Sequence, residues 1–264
     1  VISNSLIRKN HDAPMPPYLS GMSESINKSI EGMSMRKSLY SVLALSTGLL
    51  LTTNVFAAVS GNIGGTSNYL WRGVTQTNDA VAIQGGLDYS HDSGFYAGTW
   101  ASNVDFGNDT SYELDLYAGY GGNITDDLSY DFGYLYYAYP DAEGSIDFGE
   151  LHGAITWKWV ELSYSHVINA GDDVAAEPLD NKDMSYLAAT ASFPLTEKLS
   201  LSFHYGYSTG DVVEAWFGED NYADYNLTLS ADTSMGTVSF MVSDTDLADD
   251  DAKIALGYSY SFDL

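Results

Sequence analysis

The chain has 264 residues, with 36 Asp or Glu against 10 Lys or Arg, a formal net charge of −26 and no cysteine. An acid excess of this size argues against nucleic acid as a partner, because phosphate backbones are bound by basic patches. Without thiols, neither disulfides nor cysteine metal sites are available to hold the fold.

The charge is unevenly distributed. Residues 1–57 hold five Lys or Arg and three Asp or Glu, whereas residues 58–264 hold five and 33. Residues 1–34 are polar and patternless, and read as a spurious or disordered leader ahead of Met35. Met35-Arg36-Lys37 then opens a segment, 35–57, whose apolar stretch ends in small residues around Val55-Phe56-Ala57-Ala58. That is the layout of a cleaved secretory signal peptide, and its apolar core is shorter than the roughly 20 residues a spanning helix needs. Beyond residue 58 there is no apolar run of 18 or more, so no helix is expected to cross a bilayer.

Residues 58–264 read as one domain in which apolar and polar residues alternate with a period of two. The runs, in chain order, are 59–73, 80–90, 94–104, 111–121, 128–139, 147–157, 160–168, 184–195, 198–208, 222–231, 236–243 and 253–264. Ile254, Leu256, Tyr258, Tyr260, Phe262 and Leu264 share one face of the last run, and Ala255, Gly257, Ser259, Ser261 and Asp263 share the other. Strands with one apolar face and one small or polar face suit lipid outside and water inside. The predicted fold class is therefore all-β: a transmembrane antiparallel up-and-down β-barrel of twelve strands. The faces of 94–104 and 236–243 are ambiguous, which leaves ten strands as the alternative.

The connections between these runs alternate in length. Segments 74–79, 105–110, 140–146, 169–183, 209–221 and 244–252 include the longest, and Lys182 is the only Lys or Arg in them. Segments 91–93, 122–127, 158–159, 196–197 and 232–235 are shorter on average. Long outer loops and short periplasmic turns are the habit of outer-membrane barrels. Acidic outer loops keep such a protein solvated and draw cations to its mouth. The run Asp244, Asp246, Asp249, Asp250 and Asp251 offers weak divalent binding, but it lacks the spacing and central glycine of a dedicated calcium loop, so no metal site is assigned.

The polar faces supply the pore-lining candidates Arg72, Gln84, Asp88, Glu113, Asp115, Asp131, Glu150, His152, Glu161, Lys198, His204, Asp224 and Lys253. Carboxylates outnumber cations among them, which predicts a hydrated, cation-favouring lumen. Tyr117, Tyr137 and Tyr139 could form an aromatic slide inside it. The apolar faces supply an aromatic girdle of Trp71, Tyr89, Trp157, Tyr164, Tyr258, Tyr260 and Phe262 at the lipid boundary. In the first run this phase puts Tyr69 and Trp71 on the lipid side and Arg72 inward, as a lone cation held by carboxylates of adjacent strands. No catalytic residue is assigned: His91, His152, His166 and His204 show no motif that places them beside a nucleophile. No cofactor is expected.

The segment VSGNIGGTSNYLWRGVTQT, with GFYAGTWASNVDF and ELDLYAGYGG further on, resembles the TorF family of porin-like bacterial outer-membrane proteins, which open on a SNYxWRG[VI][ST]QT segment. The resemblance covers about residues 59–264 and implies an outer-membrane barrel of a Gram-negative bacterium with no established substrate. The resulting expectation is a channel for passive diffusion of small hydrophilic solutes or ions, cation-preferring, and not an enzyme. The alternative is a closed structural or receptor-type barrel with acidic surface loops. The partners would be outer-membrane lipid, lipopolysaccharide and, through the last strand, the barrel assembly machinery, with small solutes or ions in the pore.

Overall fold

The computed structural model describes residues 58–264 apart from Ala176 and Asp249. The leader 1–34 and the signal peptide 35–57 read from the sequence lie outside the described residues. The wall begins with β1 (Ala58–Thr66), and a separate two-stranded hairpin follows, β2 (Leu70–Trp71) and β3 (Val74–Thr75). The wall resumes with β4 (Ala82–Ser90), β5 (Phe95–Asn103), β6 (Tyr112–Thr125), β7 (Leu128–Ala138), β8 (Phe148–Trp157), β9 (Val160–Ala170), β10 (Ser185–Pro194) and β11 (Leu199–Thr209). A short helix, α1 (Asp211–Phe217), precedes β12 (Asn221–Thr233), β13 (Gly236–Thr245) and β14 (Lys253–Asp263).

Apart from the hairpin, all the strands close into one antiparallel barrel in which β1 pairs with β4 on one side and β14 on the other. The wall has twelve strands, not ten. Closure pairs both edges that an open sheet would leave exposed, so each wall strand finds hydrogen-bond partners on two sides.

The period-two pattern explains which face points where. Ile63, Ile83, Leu116, Phe132, Ile155, Leu162, Leu187, Ile254 and Leu256 stand on the outside, each at least half exposed. A continuous apolar band of this kind is stable only against an apolar medium. Alternate residues face inward and are mostly small, polar or tyrosine, with Trp100, Phe148 and Val167 among the larger apolar ones. The short turns 91–94, 126–127, 158–159, 195–198 and 234–235 share one end with the start of β1 and the end of β14, and the long connections gather at the other.

Two local features depart from the sequence reading. The first wall strand stops at Thr66, although alternation continues to residue 73. Thr66 Oγ1 donates to the Asn68 carbonyl at 2.8 Å, and the Asn68 side chain is bound to Asp79 and Thr75 at 2.7 Å each. Such side-chain bonds compete with the sheet ladder and turn the chain inward. The helix α1 was not foreseen. It is held by Val212 and Val213, both fully buried, and ends at Gly218, whose φ of 75° suits a left-handed cap. Its apolar residues join Tyr137, Phe148, Val167, Met184 and Tyr222 in a core inside the long-loop end of the barrel.

Candidate functional site

The hairpin β2–β3 crosses the barrel interior. Leu70 pairs with Thr75 and Trp71 with Val74, leaving Arg72 and Gly73 as a two-residue turn. Both have positive φ, 49° and 82°, as a type I′ turn requires. Glycine adopts this freely, whereas arginine there is strained and needs its side chain held. Arg72 Nη2 donates to both carboxylate oxygens of Glu150 on β8, at 2.6 and 2.8 Å. The guanidinium lies between the rings of Trp71 and Tyr186, 4.2 Å from each centroid. The Arg72 carbonyl accepts from the Tyr222 hydroxyl at 3.1 Å. In the ring of twelve, β8 and β10 flank the strand opposite β1, so the hairpin spans the lumen from one wall to the other.

Gly73 admits no side chain: a Cβ there would meet Thr245 Cγ2 at 2.6 Å and Asp224 Cβ at 2.9 Å. Aromatic rings fill the space around the tip. Trp71 packs against Tyr137, Phe148 and Trp216, and Trp216 Nε1 donates to the Val174 carbonyl at 2.7 Å, tying α1 to the neighbouring loop. On the near side Tyr69 and Trp100 meet edge to face at 5.5 Å.

The inward faces of the wall carry a set of carboxylates, most of them met by a tyrosine hydroxyl. Tyr69 and Tyr139 donate to Glu113 at 2.8 and 2.9 Å, Tyr96 donates to Asp131 at 2.9 Å, and Tyr117 donates to Asp88. Tyr186 donates to Asp224 at 3.0 Å. Each hydroxyl supplies a donor that replaces water at a carboxylate oxygen. Wall glycines make room for the rings: a Cβ on Gly98 would meet Tyr117 at 2.5 Å. These tyrosines share the inward phase with the carboxylates, which is the signal by which sequence reasoning could have identified them as partners. Tyr117, Tyr137 and Tyr139 do face inward, but their hydroxyls are engaged with Asp88, Glu150 and Glu113.

The residues singled out from the sequence are placed as follows. Gln84, Asp88, Glu113, Asp115, Asp131, Glu150, His152, Glu161, His204 and Asp224 occupy inward positions of the wall. His152 is 2.8 Å from Asp131, and His204 is 2.8 Å from both Tyr186 and Thr190. Gln84 donates to Ser102 at 3.4 Å, and Glu161 accepts from Thr156 at 3.2 Å. Lys253 starts β14 and is paired with Asp250. Arg72 is inside the barrel, but on the hairpin and not on the wall.

Lys198 differs: it lies exposed in the turn before β11, because the alternation that counts begins at Leu199. Trp71 differs too. It packs inside the lumen and not at the lipid boundary, because the chain has left the wall before reaching it. Tyr69 likewise is buried inside. Tyr89, Trp157, Tyr164, Tyr258, Tyr260 and Phe262 face outward and are exposed.

Of the aspartates in 244–251, Asp244 accepts from Tyr225 at 3.3 Å, Asp246 from the Ala223 amide at 2.6 Å, and Asp250 from Thr245 as well as Lys253. Asp249 lies outside the described residues. Asp250 and Asp251 line a recess of about 430 Å³ with Asp79 and Lys253. Among the described residues no three His, Asp or Glu side chains converge in a way that could hold a metal ion.

A family described as "Bacterial protein of unknown function (Gcw_chp)" matches residues 52–261. No curated protein matches the chain in sequence. Among solved structures, an outer-membrane channel from Pseudomonas putida F1 is similar at a TM-score of 0.53 and 12% identity, over 81% of this chain and 97% of that one. The KdgM porin is similar at a TM-score of 0.50 and 12% identity, over 77% of this chain and 99% of that one. A second KdgM structure, in complex with disordered oligogalacturonate, is similar at 0.50 and 10% identity, over 78% and 99%. At these identities the likeness is one of fold.

Proposed function

We propose that this chain, which belongs to the Gcw_chp family of bacterial proteins of unknown function, is a cation-preferring channel of a Gram-negative outer membrane. Small hydrophilic solutes or ions would pass through it by diffusion. The observation that carries the reading is the closed twelve-strand wall, apolar outside and lined inside by carboxylates that accept hydrogen bonds from tyrosine hydroxyls. A lumen of fixed negative charge raises the local concentration of cations and lowers that of anions. The likeness of SNYLWRGVTQT to the TorF-type porins supports the same reading, and so does the fold shared with channel barrels. The chain would reach the membrane through a signal peptide at 35–57 and sit with its acidic long loops outward, among lipopolysaccharide. Its last strand would be recognised by the assembly machinery.

The hairpin would form the constriction. KdgM has been solved with oligogalacturonate, a polyanion; a carboxylate-rich lumen makes that a poor solute here. The test is conductance of the purified protein in a planar bilayer under a salt gradient. Channel events with a cation-selective reversal potential are expected, and an anion-selective potential would refute the preference.

A second reading, a closed barrel that displays acidic loops as a structural or receptor surface, draws on one observation: Trp71, Phe148 and Trp216 fill the lumen beside the hairpin. Absence of channel events from protein that still shows heat-dependent gel migration would favour it.

A further inference from the structure

The inward carboxylates are supplied with donors, with one exception among those of the upper lumen. Glu113 accepts from Tyr69 and Tyr139, Glu150 from Arg72, and Asp224 from Tyr186. Lower down, Asp88 accepts from Asn62 and Tyr117, Asp131 from Tyr96, and Glu161 from Thr156. Asp115 is 0% exposed, and neither of its carboxylate oxygens has a hydrogen-bond partner among the described residues. A buried carboxylate left unmatched is costly, and the same sheet has repeatedly placed a tyrosine hydroxyl where one was needed.

The surroundings of Asp115 suit a positive charge. It occupies an inward position on β6, directly across from Trp100 on β5 and Tyr137 on β7. Facing pairs in a sheet bring their Cβ atoms within about 5 Å, so Asp115 stands between two aromatic side chains. Aromatic faces attract cations, most strongly where water is excluded. Glu113, two residues along the same face, and Glu150 add negative charge, and Arg72, whose Nη2 is engaged by Glu150, is the nearby cation. Tyr137 directs its hydroxyl to Glu150, not to Asp115. Arg72 Nη1 is likewise without a partner, and among the described residues no donor reaches Asp115.

We propose that Asp115 is the binding point for a single alkali-metal cation in the lumen, flanked by Trp100 and Tyr137 and drawn in by the field of Glu113 and Glu150. A divalent ion fits less well, because calcium and magnesium ask for several carboxylate or carbonyl oxygens, and no such cage converges among the described residues. One carboxylate with aromatic flanks holds a monovalent ion loosely enough to release it, which is what conduction needs. The inference rests on the channel reading for its purpose, though the binding itself does not require conduction.

The test has two arms, run on wild type, Asp115→Asn and Asp115→Glu. The first follows heat-dependent loss of the folded gel band at constant ionic strength, in NaCl, KCl and RbCl against N-methyl-D-glucamine chloride, whose cation is too bulky to enter. Wild type is expected to melt at higher temperature in the alkali salts, Asp115→Asn to lose that difference, and Asp115→Glu to keep part of it. Wild type that melts identically in all four salts would overturn the site, and this result does not depend on whether a variant folds. An Asp115→Asn protein that is more heat-resistant and indifferent to the cation would also overturn it, by showing that the native carboxyl is held protonated. The second arm measures reversal potential in a planar bilayer, where Asp115→Asn is expected to move it toward zero. Alkali-specific protection without channel events would refute the channel and leave the site standing. A cation-selective channel unaltered in both arms by Asp115→Asn would refute the site and leave the channel standing.

Discussion

Removing Arg72 should loosen the barrel more than removal of any other single cation in the wall or its loops. Arg72 and Glu150 have side chains only 7% and 4% exposed, and contacts of 2.6 and 2.8 Å join them. Breaking a pair this deeply buried by neutralising one member costs about 3–5 kcal/mol, since the remaining charge has lost its match. In Arg72→Met, Glu150 retains the Tyr137 hydroxyl at 3.5 Å. The stacked guanidinium between Trp71 and Tyr186 adds up to about 2 kcal/mol in a desolvated setting. Combining Arg72→Met with Glu150→Gln should cost less than the two singles together, with a coupling of about 1–3 kcal/mol. The backbone offers a further comparison. At φ 49° a glycine is unstrained, so Arg72→Gly should be more stable than Arg72→Ala by about 1 kcal/mol. Urea unfolding in detergent micelles, followed by tryptophan fluorescence, measures all five variants against wild type. Singles within about 0.5 kcal/mol of wild type, or strictly additive energies, would refute the claim that the pair anchors the hairpin.

Gly73→Ala should destabilise by about 1–3 kcal/mol, because its Cβ meets Thr245 and Asp224 and its φ is 82°; the same urea titration reads it. Gly98→Val should displace the Tyr117 ring from Asp88 and lower single-channel conductance, and an unchanged conductance would show that the ring does not border the path. In the loop between β7 and β8, Asp141 accepts from both the amide and the hydroxyl of Ser111, at 3.0 and 2.5 Å, and the side-chain bond from Ser111 holds its carboxyl below the usual range. A depressed carboxylate stabilises the clasp fully above its unfolded value of about 3.9, and the contribution is lost as pH falls through the lower folded value. Hydrogen exchange at the Ser111 amide should therefore show protection at neutral pH that fades only under strong acid, and Asp141→Asn should weaken it at every pH.

The wall was legible because its requirement is simple: in a closed barrel every strand must present one apolar and one polar face, and the period of two in 253–264 or 80–90 states this directly. The hairpin was not, because alternation reports two unlike faces without saying which media they meet. Tyr69 and Trp71 do oppose Asn68 and Arg72, but on a strand that lies among side chains inside the lumen. The one local clue was the pair Arg72-Gly73 between apolar residues, and a two-residue turn of this type is more readily recognised from Asn-Gly than from Arg-Gly. Helix α1 was invisible for another reason. Seven residues give barely two turns, too few for a helical period to separate from noise, and its stability comes from Val212 and Val213 packing on distant strands. The tyrosine and carboxylate pairs needed the register of neighbouring strands, which no single segment contains.

The hairpin has a consequence for the size of the ring. The diameter of a barrel grows with its number of strands, whereas a hairpin with a two-residue turn has a set reach. Arg72 meets Glu150 on β8 only because the far wall stands at the distance that twelve strands provide. Adding a strand pair would carry Glu150 out of range, and losing one would press β8 against the hairpin tip. The short segment YLWRGVT thus acts as an internal gauge of girth, so that strand number is encoded not only by counting strands but by a ruler laid across them.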